Sequence, residues 1–335
     1  MKTVVTGGAG FIGTLLARRL LAAPVSVGGA DPVDVDELVL ADLVPPQPDL
    51  ARYERVRAVV GDLASTLPTI GAADLWFHLA GVVSGAAEAD FDLGMRTNVD
   101  ALRALLEHVR RQAAAPVLVF SSSLAVFGSD PALGPHNSLG TVDDDTLPRP
   151  QSSYGIQKFI GEQLVADYTR KGFVRGRSVR LMTVSVRPGR PNAAVSSFLS
   201  GIIREPLAGQ RAVCPVPAET PVALSSPQRT LEGIVRASAV DDATWGSRTA
   251  MNLPGLATTP GEMAQSLDRV SGAALSELID WTDDPAIGAL VRSWPAQVDT
   301  PRARRLGLAP DDAFDDIVRE YINTLEPQNS RGDEA

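Results

Sequence analysis

The stretch TGGAGFIGTLLARRLL, residues 6–21, constrains the fold more than any other part of the chain. Before it, Lys2-Thr3-Val4-Val5-Thr6 reads as a buried β-strand. Phe11 to Leu21 reads as a helix, with apolar residues at 11, 12, 15, 16 and 20 on one side. Gly8, Gly10 and Gly13 satisfy G-x-G-x-x-G, and Gly7 adds a G-x-x-G-x-x-G register. Strand, glycine turn and helix together are the context in which this pattern binds a dinucleotide. The glycines let the backbone turn tightly and approach a pyrophosphate with no Cβ in the way. The helix N-terminus then offers unpaired N–H groups and partial positive charge. Gly7, Gly10, Phe11, Ile12 and Gly13 are therefore expected to bind cofactor.

The next test is an acid at the end of the second strand, and Leu38-Val39-Leu40-Ala41-Asp42 supplies it. A carboxylate at Asp42 can accept hydrogen bonds from both adenosine ribose hydroxyls, and it would repel a 2′-phosphate. NAD is thus expected over NADP. The spacing is longer than usual because a Gly-, Pro- and Asp-rich loop, Ala22 to Asp36, intervenes. Asp62 and Leu63, after the third strand, are placed to flank the adenine.

Strand and helix patterns alternate through the first half. Strands are expected at Glu37–Ala41, Val56–Val60, Asp74–Leu79, Pro116–Ser121 and Ser178–Val186, and helices over most of Glu88–Ala113 and over Gln151–Arg170. This alternation predicts an α/β chain, a Rossmann-type doubly wound parallel sheet. Prolines cluster after residue 186, with helical patterns at Pro227–Ala239, Pro260–Val270 and Asp311–Leu325 and short strands near Ala250–Leu253 and Ala274–Trp281. The expected division is a cofactor domain over 1–185, a smaller C-terminal substrate-binding lobe over 186–326 with excursions back to the sheet, and a frayed tail over 327–335.

Composition narrows the partners. The formal net charge is −9 with no basic stripe, so no nucleic-acid partner is expected. No run of eighteen apolar residues occurs, so no membrane span is expected. The single cysteine, Cys214, excludes an internal disulfide and agrees with a reducing cytoplasm. His78, His108 and His136 have no ligand spacing, so no metal site is expected. Lysine occurs only at positions 2, 158 and 171, which gives weight to a lysine inside a motif.

One such motif is Tyr154-Gly155-Ile156-Gln157-Lys158, whose i, i+4 spacing puts phenol and ammonium on one helix face. Upstream, Ser121-Ser122-Ser123 ends the fifth strand, at the edge where parallel sheets bind ligands. TGGAGFIG, SSSLAVFG and YGIQK, in this order, resemble the extended short-chain dehydrogenase/reductase family over essentially the whole chain. The resemblance implies that Tyr154 is the general base toward a carbinol. A free phenol, with a pKa of about 10, is too weak a base at neutrality. Lys158 would lower that value together with the nicotinamide ring, and would bond the nicotinamide ribose. Ser123 would hold the substrate oxygen, and Asn98 would complete a proton relay. His78-Leu79-Ala80-Gly81 resembles the family's cofactor-lining turn, with Gly81 a small-for-small exchange for its usual second alanine; His78 is expected to pack. Met182 to Gly189 resembles the stretch passing the nicotinamide amide, where Arg187 reads as structural. By the same resemblance a homodimer is expected, through the helices carrying Asn98 and Tyr154.

Three reactions share such a site. Dehydratases of the family carry an Asp–Glu pair after the active-site hydroxyl residue. Here Leu124 and Ala125 follow Ser123, so elimination lacks its placed acid. Epimerases return the hydride and dehydrogenases release it. The run from Ser185 to Phe198, with Arg204-Glu205-Pro206-Leu207, Cys214-Pro215-Val216 and Leu224 to Thr230, resembles a subgroup that oxidises the C2 hydroxyl of a four-carbon sugar acid, D-erythronate, to the 2-oxo acid. A nucleotide-sugar 4-epimerase with tightly bound NAD and a non-catalytic NAD-sensing protein are the alternatives. A sugar acid needs a cationic partner, and arginine offers a bidentate fork. Arg229 and Arg190 are the candidates, with Asn192, Ser196 and Thr230 as hydroxyl partners.

Overall fold

The computed structural model describes residues 1–130, 139–189 and 194–325. Its strands begin with β1 (Lys2–Thr6), β2 (Glu37–Asp42), β3 (Val56–Val60), β4 (Leu75–His78) and β5 (Val117–Ser123). The chain continues with β6 (Thr141–Val142), β7 (Arg175–Leu181), β8 (Thr183–Val184), β9 (Ala212–Cys214), β10 (Val222–Ser225), β11 (Met251–Asn252), β12 (Leu256–Thr258), β13 (Ile279–Trp281) and β14 (Gln297–Val298). Seven strands form one parallel sheet in the order β11-β7-β5-β4-β1-β2-β3. The strand order reverses between β1 and β4, so a crevice opens there beyond their carboxyl ends.

Both faces of the sheet are covered, which is why its strands read as continuous apolar runs. Val4, Val39, Trp76 and Leu118 point to one face, against Leu102, Leu105 and Leu106 of α5 (Ala101–Val109) and Val165 of α6 (Ser153–Arg170). Their neighbours Val5, Leu38, Leu40, Phe77 and Val119 point to the other, against Leu16 and Leu20 of α1 (Phe11–Ala22) and Ile234 of α8 (Pro227–Ala239). The two-residue alternation sorts each strand between two cores. A third core joins Leu199, Ile202 and Ile203 of α7 (Phe198–Leu207) to Met263, Leu267, Ile317 and Tyr321. It packs β9, β10 and β13 into a smaller layer. No helix among the described residues is long and apolar enough to cross a membrane.

Three expected elements differ. The helix expected over Glu88–Ala113 is broken into α3 (Ser84–Ala89), α4 (Phe91–Gly94), a π-helical turn (Met95–Asp100) and α5. Asp90 makes the break, because its carboxylate accepts from the Leu93 N–H and starts a new helix. The strand expected over Ser178–Val186 starts earlier, at Arg175, and splits. After β7 the chain leaves the main sheet, and β8 pairs with β10 instead. The strand expected over Ala274–Trp281 is a 3₁₀ turn, Leu275–Leu278, followed by β13. The polar tail and the stretch containing Arg190 and Asn192 lie outside the described residues.

Candidate active site

The glycine turn is jammed between β4 and α1. Gly7 has φ +74°, and a Cβ there would sit 2.7 Å from the Ala80 nitrogen. A Cβ on Gly13 would lie 2.0 Å from the Gly7 carbonyl oxygen. Gly10 starts α1 with no side-chain cap and no acid in the first turn. Its amide end therefore faces a cavity of about 370 Å³, lined by Gly7 and Gly10 to Gly13 at one end. A cradle with no side chain to block it, opening onto free helix N–H groups, fits a pyrophosphate.

Asp42 ends β2 beside this turn. Its Oδ2 accepts from the Ala9 N–H at 3.0 Å and its Oδ1 from the Leu43 N–H at 2.7 Å. The carboxylate is thereby fixed in orientation, with lone pairs left for a ribose. Asp62 caps α2 (Leu63–Ile70), accepting from the Ser65 N–H at 3.2 Å, and Leu63 opens that helix. Leu79 and Gly81 reach the cavity wall, whereas Ala80 backs Gly7.

At the other end stand Ser123, Tyr154 and Lys158. Ser152 caps α6 by accepting from the Gly155 N–H at 3.2 Å. Gly155 allows the approach of that helix to β5, since a Cβ there would be 2.1 Å from the Ala125 oxygen. The contact brings the phenol of Tyr154 to the cavity wall that Ser123 also lines. Lys158 is buried and donates to the Ser121 carbonyl at 2.8 Å. Burial lowers its pKa to about 8, against the opposing pull of Glu162. Burial raises the Tyr154 phenol, while the neighbouring Ser123 hydroxyl and the charge of Arg187 draw it down. His78 packs in the core, as expected. Burial and then the Lys158 charge push it down to about 3, and Thr6 Oγ1 meets its Nδ1 at 2.7 Å.

Asn98 sits behind this row, in the π-helical turn. Its Oδ1 accepts from the Val82 N–H at 2.9 Å, and its Nδ2 donates to Val82 O at 3.2 Å and Gln157 Oε1 at 2.7 Å. A Cβ on Gly81 would lie 2.8 Å from Asn98 Oδ1 and 3.5 Å from Lys158 Nζ. An alanine here requires Asn98 to shift, so the exchange of alanine for Gly81 is not neutral in this chain.

The structure separates the expected substrate residues. Ser196 reaches the cavity wall. Arg229 and Thr230, on α8, do not. Arg229 pairs with Glu232 at 3.0 Å on a partly exposed face, and buried Thr230 donates to Ser225 Oγ at 3.1 Å. Asn192 and Arg190 fall outside the described residues. Among the wall residues that sequence reasoning does not assign a function are Arg187 and Trp294. Arg187 carried a signal, a charge directly after the strand-like alternation Val184-Ser185-Val186. Trp294 carried none, since tertiary packing alone brings it to the site.

The model of the NAD dependent epimerase/dehydratase family matches residues 3–223, about two thirds of the chain. The chain belongs to that family. Two curated members are similar over nearly their whole length. D-erythronate dehydrogenase from Cupriavidus necator is 47% identical over 96% of this chain and 98% of its own. D-erythronate dehydrogenase from Haemophilus influenzae is 41% identical over 96% and 99%. Among solved structures, a nucleoside-diphosphate-sugar epimerase from Agrobacterium tumefaciens superposes with TM-score 0.85 at 35% identity, covering 96% of this chain and 94% of that one. L-threonine 3-dehydrogenase from Trypanosoma brucei shares the fold, with TM-score 0.81 at 24% identity over 97% and 96%. The family's cofactor is NAD, and the glycine cradle and Asp42 suit it.

Proposed function

We propose that the protein oxidises D-erythronate at C2 to 2-oxo-D-erythronate, with NAD accepting the hydride. The substrate reading rests on the two D-erythronate dehydrogenases that match it from end to end. The chemistry rests on one cavity that holds a glycine turn at one end and Ser123, Tyr154 and Lys158 at the other.

In this reading Tyr154 takes the C2 hydroxyl proton. Ser123, on the same cavity wall, holds the substrate oxygen as charge develops on it. Lys158, protonated and 5.7 Å from the Tyr154 ring, favours the phenolate. Asn98 ties the Val82 backbone to α6 through Gln157, and so shapes the wall behind Lys158 as part of the relay. NAD, when bound, takes up the hydride released from C2. Gly7, Gly10 to Gly13, Leu79, Ala80 and Gly81 would hold it, Asp42 would take the adenosine ribose, and Asp62 and Leu63 would flank the adenine. Ser196 offers a hydroxyl to the substrate, residues 1–185 carry the cofactor, and the later lobe closes the substrate end. We also read the protein as a cytoplasmic homodimer. Phe91 and Ile156, exposed apolar residues on α4 and α6, support that pairing.

A panel of aldonic and uronic acids with NAD, followed by NADH absorbance, tests the reading. D-erythronate should give the highest kcat/KM. Loss of NADH formation across the panel, with epimers formed from sugar nucleotides instead, would replace it with the epimerase reading.

A further inference from the structure

A 2-hydroxy acid brings a carboxylate next to its reacting carbinol, and the cavity must hold both. The arginine expected for that task, Arg229, is paired elsewhere and off the wall. Arg187 is on the wall and is pinned by its backbone. Its N–H donates to Ser200 Oγ at 3.0 Å and its carbonyl accepts from Arg204 Nη1 at 2.8 Å. The two contacts, one turn apart on α7, fix where the side chain starts.

The guanidinium is left uncompensated. Its Nε and Nη2 are buried, and neither has a hydrogen-bond partner among the described residues. The groups acting on it are the Arg204 guanidinium, itself bonded to Glu205, and the Tyr154 phenol. A buried cation with two idle donors and no facing carboxylate among the described residues is unfavourable unless an anion arrives. Nε–H and Nη2–H form the parallel pair along one edge of the guanidinium, a spacing that matches the two oxygens of a carboxylate. Arg187 lines the same cavity as Ser123, Tyr154 and Lys158.

We propose that Arg187 is the carboxylate receptor of the site, its guanidinium turning its idle edge to the two oxygens of a 2-hydroxy acid while the adjacent C2 hydroxyl meets Tyr154 and Ser123. The inference rests on the 2-hydroxy-acid reading above. It gives the site a physical reason to prefer an acid to the matching neutral alcohol.

Two measurements test it. In steady-state kinetics with D-erythronate, Arg187→Met should raise KM about a hundredfold, the size of losing a charge-assisted bidentate contact. The Kd for NADH should stay within about twofold, and Arg187→Lys should recover part of the loss as a point charge. A KM for Arg187→Met within about threefold of wild type would overturn the proposal. So would an equal rise in KM and NADH Kd, which would assign Arg187 to the cofactor. An unchanged KM with the alkaline limb of the pH profile moved upward would assign it to Tyr154 alone.

The second measurement needs no turnover. Calorimetric titration of the wild-type enzyme–NADH complex compares glycolate, D-glycerate and D-erythronate with ethylene glycol, glycerol and erythritol. The acids should bind more tightly than their matched alcohols, and Arg187→Met should abolish the difference. No acid preference in wild type would overturn the Arg187 proposal. Acid preference without turnover of D-erythronate would instead sink only the substrate reading.

Discussion

Lys158 and Glu162 lie one turn apart on α6, yet Glu162 is held by Arg180 and not by Lys158. Arg180 Nη2 donates to Glu162 Oε2 at 2.8 Å and Arg180 Nε to Oε1 at 2.9 Å, with both side chains buried. Lys158 donates to the Ser121 carbonyl instead. The lysine thus keeps only part of Glu162's field, and burial outweighs it.

Breaking this pair should cost stability more than activity. Glu162→Gln leaves the Arg180 charge buried without its partner, a loss of about 3–5 kcal/mol. Adding Arg180→Met should restore much of it, because the remaining buried charge is then gone. Urea denaturation of the single and double variants checks both signs.

His78 ties stability to acid. Its value in the fold, about 3, lies below the ordinary 6.5 because burial and the Lys158 charge disfavour the imidazolium. Between those values the unfolded chain binds the proton and the folded one does not, so stability rises with pH across that window and falls as pH drops through it. His78→Leu should flatten the stability–pH curve there, at the expense of the Thr6 contact. Equilibrium denaturation at a series of pH values reads the slope.

Asp42 should set cofactor choice. Asp42→Ser removes two charge-assisted acceptors, worth about 1.5–3 kcal/mol each, and the repulsion of a 2′-phosphate. The KM for NAD should rise about a hundredfold or more, with weak NADP-dependent turnover appearing. Steady-state titrations with both cofactors measure the ratio.

Tyr154→Phe removes the proton acceptor but keeps the ring in place. Turnover should fall by about 10² or more. NADH binding, followed by its fluorescence, should stay near wild type. Retained turnover would take Tyr154 out of the proton step.

The fold and half of the site were legible in the sequence because both rest on local rules. The glycine turn, the Asp42 strand end and the Tyr154–Lys158 spacing depend on neighbours in the chain, and the structure brings the glycines, Ser123, Tyr154 and Lys158 around one cavity. The helical break at Asp90 was hidden by apolar periodicity that runs on across it. Gly94, whose added Cβ would meet the Gln157 amide at 2.4 Å, is there for packing that no local pattern announces. The helix α7 was obscured by the prolines around it. Arg229 and Arg187 differ in a way only tertiary structure decides. One has Glu232 a turn away, and the other has no carboxylate facing it among the described residues.

The central claim is that a carbinol hydride leaves the protein as free NADH. The most direct measurement supplies D-erythronate and NAD to the purified enzyme and quantifies NADH and 2-oxo acid in the same sample. The account predicts equal amounts of the two, growing together over many turnovers. Product without NADH in solution, or an epimer in place of the oxo acid, would contradict it.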